Sequence, residues 1–141
     1  MTLEEVKIIL QTKSGLLGLS GGISNDLRDI QDAADQGNED CKNAIKAYAY
    51  GIKKYIGAYA AAMGGVDGIV FGGGIGRKSD RIRAMSLEGL EFLGVALDAD
   101  KNASPNGGDD ISVSGSKVRI YVVDTNEEIV VARKAKALLE Q

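Results

Sequence analysis

Four of the five residues from Gly72 to Gly76 are glycine, set between the apolar run Val66-Asp67-Gly68-Ile69-Val70-Phe71 and a helical pattern entered at Ser79-Asp80. The β-branched and aromatic residues of the run predict a buried strand, and Ser79 predicts an N-cap. Glycines remove Cβ atoms where the chain turns and leave backbone N–H groups accessible at a helix N-terminus. That is the physical requirement for an anion or phosphate seat. The same run would also let a helix pack close to a sheet, and it matches neither GxGxxG nor the P-loop spacing. A second chemical feature is the entry to the last helix, Thr125-Asn126-Glu127-Glu128. Thr125 and Glu128 have capping-box spacing, which explains Glu128 but not Glu127. A carboxylate that opens a helix at the end of a sheet strand stands where α/β folds place ligands. Beside a nucleotide such a group commonly holds Mg²⁺, although pairing with the helix dipole also accounts for it.

Other chemistries are excluded by composition. The 141 residues contain no histidine, so there is no His base, His metal ligand or Ser-His-Asp arrangement within the chain. The net charge of -3, without a Lys/Arg block, gives no footprint for nucleic acid. The single cysteine, Cys41, falls in a helical apolar pattern and reads as a core filler in a reducing compartment. No apolar stretch is long enough to span a bilayer, and the start Met1-Thr2-Leu3-Glu4-Glu5 is unlike a signal peptide, so the expectation is a cytoplasmic protein. The length fits one domain, residues 1–141, with 44% hydrophobic and 26% charged residues as in ordinary globular chains.

The elements that must position these groups follow from periodicity. Thr2 and Glu5 have capping-box spacing ahead of a short amphipathic helix carrying Leu3, Val6, Ile9 and Leu10. Ser14 to Ile23 reads as an irregular buried loop. Ser24 and Asn25 are expected to cap a second helix with Leu27, Ile30 and Ala34, closed near Gly37. On local grounds Asp26 and Asp29 there are acids favourably placed at a helix N-terminus, and Arg28 is a solvated charge. Asn38 reads as the cap of the longest helix, with Cys41, Ile45, Tyr48, Ile52, Tyr55, Ile56, Tyr59 and Met63 on one stripe. Its small residues from Gly57 to Gly65 predict close approach by a neighbour. Beyond Ser79, a helix through Ile82, Met85, Leu90 and Leu93 is expected to close at Gly94. An extended segment at Val95–Leu97, an exposed loop at 104–110, strands at 111–113 and 118–123, and a helix from Asn126 to about Leu139 complete an α/β order.

Five segments in this order resemble the acetate kinase family: Ser14-Gly15-Leu16-Leu17-Gly18, Ser24-Asn25-Asp26-Leu27-Arg28-Asp29, Lys54-Tyr55-Ile56-Gly57-Ala58-Tyr59, Val70-Phe71-Gly72-Gly73-Gly74-Ile75-Gly76 and Thr125-Asn126-Glu127-Glu128. The resemblance covers nearly the whole chain and corresponds to roughly the last third of a complete family member. It implies an α/β fold, part of an actin, sugar kinase and Hsp70-like (RNase H-like) ATPase lobe with its sheet flanked by helices. It implies reversible transfer of the γ-phosphoryl of ATP to acetate, giving ADP and acetyl phosphate. By the same resemblance Asp26 and Arg28 line the adenosine pocket, Gly73, Gly74 and Ile75 approach adenine and the α-phosphate, and Glu127 helps hold Mg²⁺. The family's frequent homodimer makes the helix face at 57–65 an expected subunit surface.

The chain also departs from the family pattern. Gly76-Arg77-Lys78 stands where Gly-Glu-Asn is usual, exchanging an acid and an amide for two cations that could face phosphate. Asp124 replaces a proline, Leu27 a frequent phenylalanine, and Gly21-Gly22 carries one extra residue. The first lobe and the acyl-substrate pocket of the family lie upstream of this stretch. The primary expectation is therefore an ATP-binding part of an acetate kinase-like enzyme, inactive without a partner lobe. The alternatives are a non-catalytic nucleotide-binding or assembly module, and a propionate or butyrate kinase fragment.

Overall fold

The computed structural model describes residues 1–106 and 108–140, with the backbone alone at 127. Its centre is a three-stranded sheet built from β1 (Gly68–Phe71), β2 (Asp109–Asp110) and β3 (Arg119–Val122), in the order β1-β3-β2. β1 runs parallel to β3, with Ile69 opposite Ile120 and Phe71 opposite Val122, while β2 is antiparallel to β3. The parallel pair needs a crossover, and the chain between β1 and β3 supplies it. That chain contains α5 (Gly73–Lys78), α6 (Asp80–Leu87) and α7 (Ala99–Ala103). Alternation directs Ile69, Phe71, Ile120 and Val122 into one core with Leu87 and Ile111. Val70 points the other way and is 59% exposed, so the expected buried strand is buried on one face only.

Four helices precede the sheet: α1 (Leu3–Ile8), α2 (Gly15–Leu19), α3 (Leu27–Asp35) and α4 (Glu39–Met63). α1 has the expected capping box between Thr2 and Glu5, and a π-helical turn at Ile9–Lys13 prolongs it. α4 begins where the Asn38 side chain accepts the Cys41 N–H at 2.9 Å and ends at Gly64 in the left-handed region. Its first half joins Leu27, Ile30 and Ile82 in a second core through Cys41 and Ile45, and Ile56 reaches the core under the sheet. Cys41 is fully buried there, as a core filler should be. The end of the predicted stripe differs: Tyr55, Tyr59 and Met63 are exposed, and the two tyrosine rings lie 5.9 Å apart.

Several boundaries move for identifiable reasons. Ser14 to Ile23 is not a loop throughout, because Gly15–Leu19 forms α2, with Leu16 packed on the α3–α4 core. α6 ends at Leu87, since Gly89 takes φ +77°, and Glu91–Leu93 is a separate 3₁₀ turn closed by Gly94. In the segment expected as an exposed loop, Asp109 and Asp110 pair with β3 and Pro105 is buried; Gly107 lies outside the described residues. The strand expected at 111–113 is reduced to an isolated bridge between Ser112 and Leu97. α7 carries no long apolar period and is fixed instead by its cap, the Asp98 carboxylate accepting the Lys101 N–H at 3.1 Å. The last helix, α8 (Glu127–Leu139), is capped by Asn126, whose Oδ1 accepts from Ile129 N at 3.0 Å, in place of the expected Thr125.

Candidate functional site

The entry to α3 is built by short polar side chains. Asp26, not Ser24 or Asn25, is the N-cap: its Oδ1 accepts the Arg28 N–H at 2.9 Å. Ser24 supports it from outside the helix, accepting the Asp26 N–H at 3.0 Å and donating to Asp29 at 2.8 Å. The Arg28 guanidinium folds back on the same carboxylate, with Nη2 2.6 Å from Asp26 Oδ2. Hydrogen bonding from that side chain first, and from the Arg28 backbone N–H second, lowers the Asp26 carboxyl to about 2. The local reading of Arg28 as a solvated charge holds for its exposure; the pairing with Asp26 is additional.

Opposite this entry stands the glycine-rich segment. Its glycines form the first turns of α5, entered from Gly72 in an extended conformation and from Gly73 at φ +69°. Gly76 permits a close approach: a Cβ there would lie 3.3 Å from the carbonyl carbon of Phe71, so α5 rests directly on the end of β1. Ser79 ends α5 and caps α6 as expected, accepting the Ile82 N–H at 3.3 Å, and it donates to Gln31 Oε1 on α3 at 3.1 Å. Arg81 pairs with Asp35 at 2.8 Å, a second tie between α6 and α3.

Between α3 and the α5–α6 corner lies a cavity of about 620 Å³ whose lining includes Asp26, Arg28, Gly74, Ile75 and Lys78. Five of the six residues singled out for nucleotide binding thus share one cleft. Gly73 is outside its lining and shapes the turn instead. The lining also contains Gln31, Ser79 and Asp80, which the sequence reading had not placed at a site. Arg77, which could have faced phosphate, turns away to pair with Asp124 at 2.6 Å. The Glu127 side chain lies outside the described residues. Its backbone opens α8 just after Thr125, and a Cβ on Gly72 would sit 3.2 Å from the Thr125 side chain. The entry to α8 therefore adjoins the glycine segment.

One positioning residue was missed altogether. Arg83 on α6 is 1% exposed, yet each of its guanidinium nitrogens donates a hydrogen bond. Nε donates to Asn102 Oδ1 at 2.7 Å, Nη2 to the Asn102 carbonyl at 2.6 Å, and Nη1 to the carbonyls of Gly76 and Arg77 at 2.8 and 3.0 Å. It satisfies carbonyls that the end of α5 leaves open and joins α5 to α7. Burial lowers its pKa, and the nearby Asp80 works against that shift. The available signal was spacing, since Ser79, Ile82, Arg83, Ser86 and Leu87 fall on one helical face and all are buried.

The acetokinase family model matches residues 1–133. The chain belongs to the acetokinase family. An acetate kinase of Natranaerobius thermophilus is 45% identical over 139 residues, covering 99% of this chain and 35% of the relative. The crystal structure of Porphyromonas gingivalis acetate kinase superposes with a TM-score of 0.88 at 41% identity, over 99% of this chain and 35% of that one. A propionate kinase from Francisella tularensis gives 0.82 at 32% identity, over 94% and 33%. The fold is that of the matching part of these acetokinase-family enzymes, as the five segments implied. The chain spans about a third of the length of the curated relatives it matches.

Proposed function

We propose that this chain is the ATP-binding part of an acetate kinase-like phosphotransferase, catalytically silent until a complementary lobe closes the cleft. The observation that carries the reading is the cavity in which Asp26, Arg28, Gly74, Ile75 and Lys78 converge. Its walls suit a nucleotide: Ile75 offers apolar surface to a base, Gly74 has no side chain to hold the base away, and Arg28 and Lys78 offer cations to polar groups. Phosphoryl transfer needs the two ends of the reaction positioned and their charge neutralised together. One wall of a cleft supplies only one end.

The case for Mg²⁺ rests on the kind of donor that Glu127 carries. Among the described residues no three acidic side chains converge on a point that could hold a metal. A site with one carboxylate, Glu127, completed by nucleotide phosphates and water is the arrangement Mg²⁺ ordinarily accepts. In such a site the ion would offset the negative charge of the phosphates.

Acetate is the phosphoryl acceptor favoured by the acetate kinase relatives, and propionate the alternative favoured by the likeness to a propionate kinase. A homodimer is proposed through the exposed Tyr55, Tyr59 and Met63 face of α4. A monomeric mass in sedimentation equilibrium would remove it. The test of function is complementation: the purified chain mixed with the first lobe of a related acetate kinase should form acetyl phosphate, while neither part does so alone. Robust turnover by the chain alone, or a persistently inactive mixture whose parts co-purify, contradicts the proposal.

A further inference from the structure

The corner between α5 and α6 brings Lys78, Ser79 and Asp80 to the cavity, yet α5 has little of its own to hold it there. None of its residues is buried, and Gly73, Gly74 and Gly76 are poor helix formers. α7 shows the converse. Asn102 is its only buried residue, at 5% exposure, where a packed helix ordinarily buries apolar side chains. What α7 sends into the interior is therefore a hydrogen-bonding group.

Asn102 reaches the corner in three ways. Its Oδ1 accepts from Arg83 Nε at 2.7 Å, its main-chain carbonyl accepts from Arg83 Nη2 at 2.6 Å, and its Nδ2 donates to the Asp80 carbonyl at 3.0 Å. Two of the three guanidinium nitrogens are thus set by Asn102, and because the group is planar, that directs the third. The third, Nη1, holds the carbonyls of Gly76 and Arg77, at the end of α5. Behind Asn102, α7 is anchored to the segment that follows β2. The Asp98 N–H donates to the Ile111 carbonyl at 3.0 Å, and Lys101 Nζ to the Ser112 carbonyl at 2.9 Å. The corner is in this way referred to the sheet through one amide side chain.

We propose that Asn102 is a positioning residue of the cavity: through Arg83 and Asp80 it fixes the corner that carries Lys78, Ser79 and Asp80, although it lines no part of the cavity itself. This rests on the reading of the cavity as a nucleotide site. Without the amide, the corner occupies its binding geometry in only a fraction of molecules, and apparent affinity falls by that fraction.

The experiment is calorimetric titration with Mg–ATP of the full chain, Asn102→Ala, Asn102→Asp and Val118→Ala, each at a temperature where circular dichroism shows it folded. Val118→Ala removes buried side chain from the core under the sheet and serves as the control for lost stability. Asn102→Ala should bind about tenfold more weakly, as for a corner in place in roughly a tenth of molecules. Val118→Ala should bind like the parent. Asn102→Asp keeps an acceptor for Arg83 and loses only the donor to Asp80, so its affinity should be intermediate. Parent-like affinity in folded Asn102→Ala, or an equal loss in Val118→Ala, overturns the proposal and leaves the nucleotide site standing. Where Asn102→Ala does not fold, parent-like affinity in Asn102→Asp overturns it. No binding of Mg–ATP to the folded parent overturns the nucleotide site and the proposal together.

Discussion

Arg77 Nε donates to Asp124 Oδ1 at 2.6 Å, joining the last turn of α5 to the segment between β3 and α8. These are two of the positions at which the family resemblance implied other residues, and here they meet. The cation at 77 is answered by the carboxylate at 124, which leaves Lys78 as the new cation in the cavity. The pair spans the glycine segment and the entry to the helix that begins with Glu127.

The pair is a surface contact, with side chains 31% and 67% exposed, so water screens it and its contribution is about 0.2–1 kcal/mol. A double-mutant cycle with Arg77→Ala and Asp124→Ala, followed by urea unfolding, should give a coupling in that range at low salt. In 1 M salt, where the screening length is about 3 Å, the coupling should fall toward zero. A salt-insensitive coupling above about 2 kcal/mol would mark the pair as a structural lock, contrary to its exposure.

Arg83 should matter far more. Replacing it with leucine leaves the half-buried carbonyls of Gly76 and Arg77 and the buried carbonyl of Asn102 without their donor. A buried orphan costs about 1–3 kcal/mol and half-buried ones less, so Arg83→Leu should lose roughly 2 kcal/mol or more in urea unfolding. Arg83→Lys keeps the charge but not the planar fork, and should fall between the two. A midpoint for Arg83→Leu equal to that of the parent would contradict the assignment of Arg83 as the support of α5.

Asp26 makes a prediction in pH. Its carboxyl is lowered from 3.8 to about 2 in the folded chain, mainly by the Arg28 side chain. A depressed folded value means that the stabilisation is complete above the unfolded value and is lost as pH falls through the folded one. The difference in melting temperature between the parent and Asp26→Asn, which keeps the cap but not the charge, should therefore be constant at neutral and mildly acidic pH. It should shrink between about pH 4 and pH 2. Because the group is exposed the effect is small, and added salt should reduce it. A difference that grows on acidification would contradict the pairing.

The sequence was most legible where a residue's type carries its own geometry. Ser79 and Asn38 are caps by the chemistry of their oxygens, and the strand at Gly68–Phe71 follows from its β-branched and aromatic residues. Where neighbouring residues compete for one role, type alone could not decide. Ser24, Asn25 and Asp26 are all capping residues, and the choice fell to the one that Ser24 and Arg28 hold in place. Thr125 and Asn126 present the same ambiguity at α8. The glycine segment was legible as a turn but not as a helix, since glycine has low helix propensity and only packing of Gly76 on Phe71, with Arg83 on the far carbonyls, holds it there. Arg83 itself was hidden because a buried cation is recognised by its partners, and Asn102 lies 19 residues away.

In the proposed function a nucleotide is held between α3 and the α5–α6 corner, and Glu127 serves its metal. Calorimetric titration of the folded chain with ATP and Mg²⁺, repeated with Glu127→Ala, tests that most directly. Saturable one-to-one binding that weakens in the variant, and loses its dependence on Mg²⁺, is the predicted result. Absence of binding, or binding indifferent to both Mg²⁺ and Glu127, would contradict it.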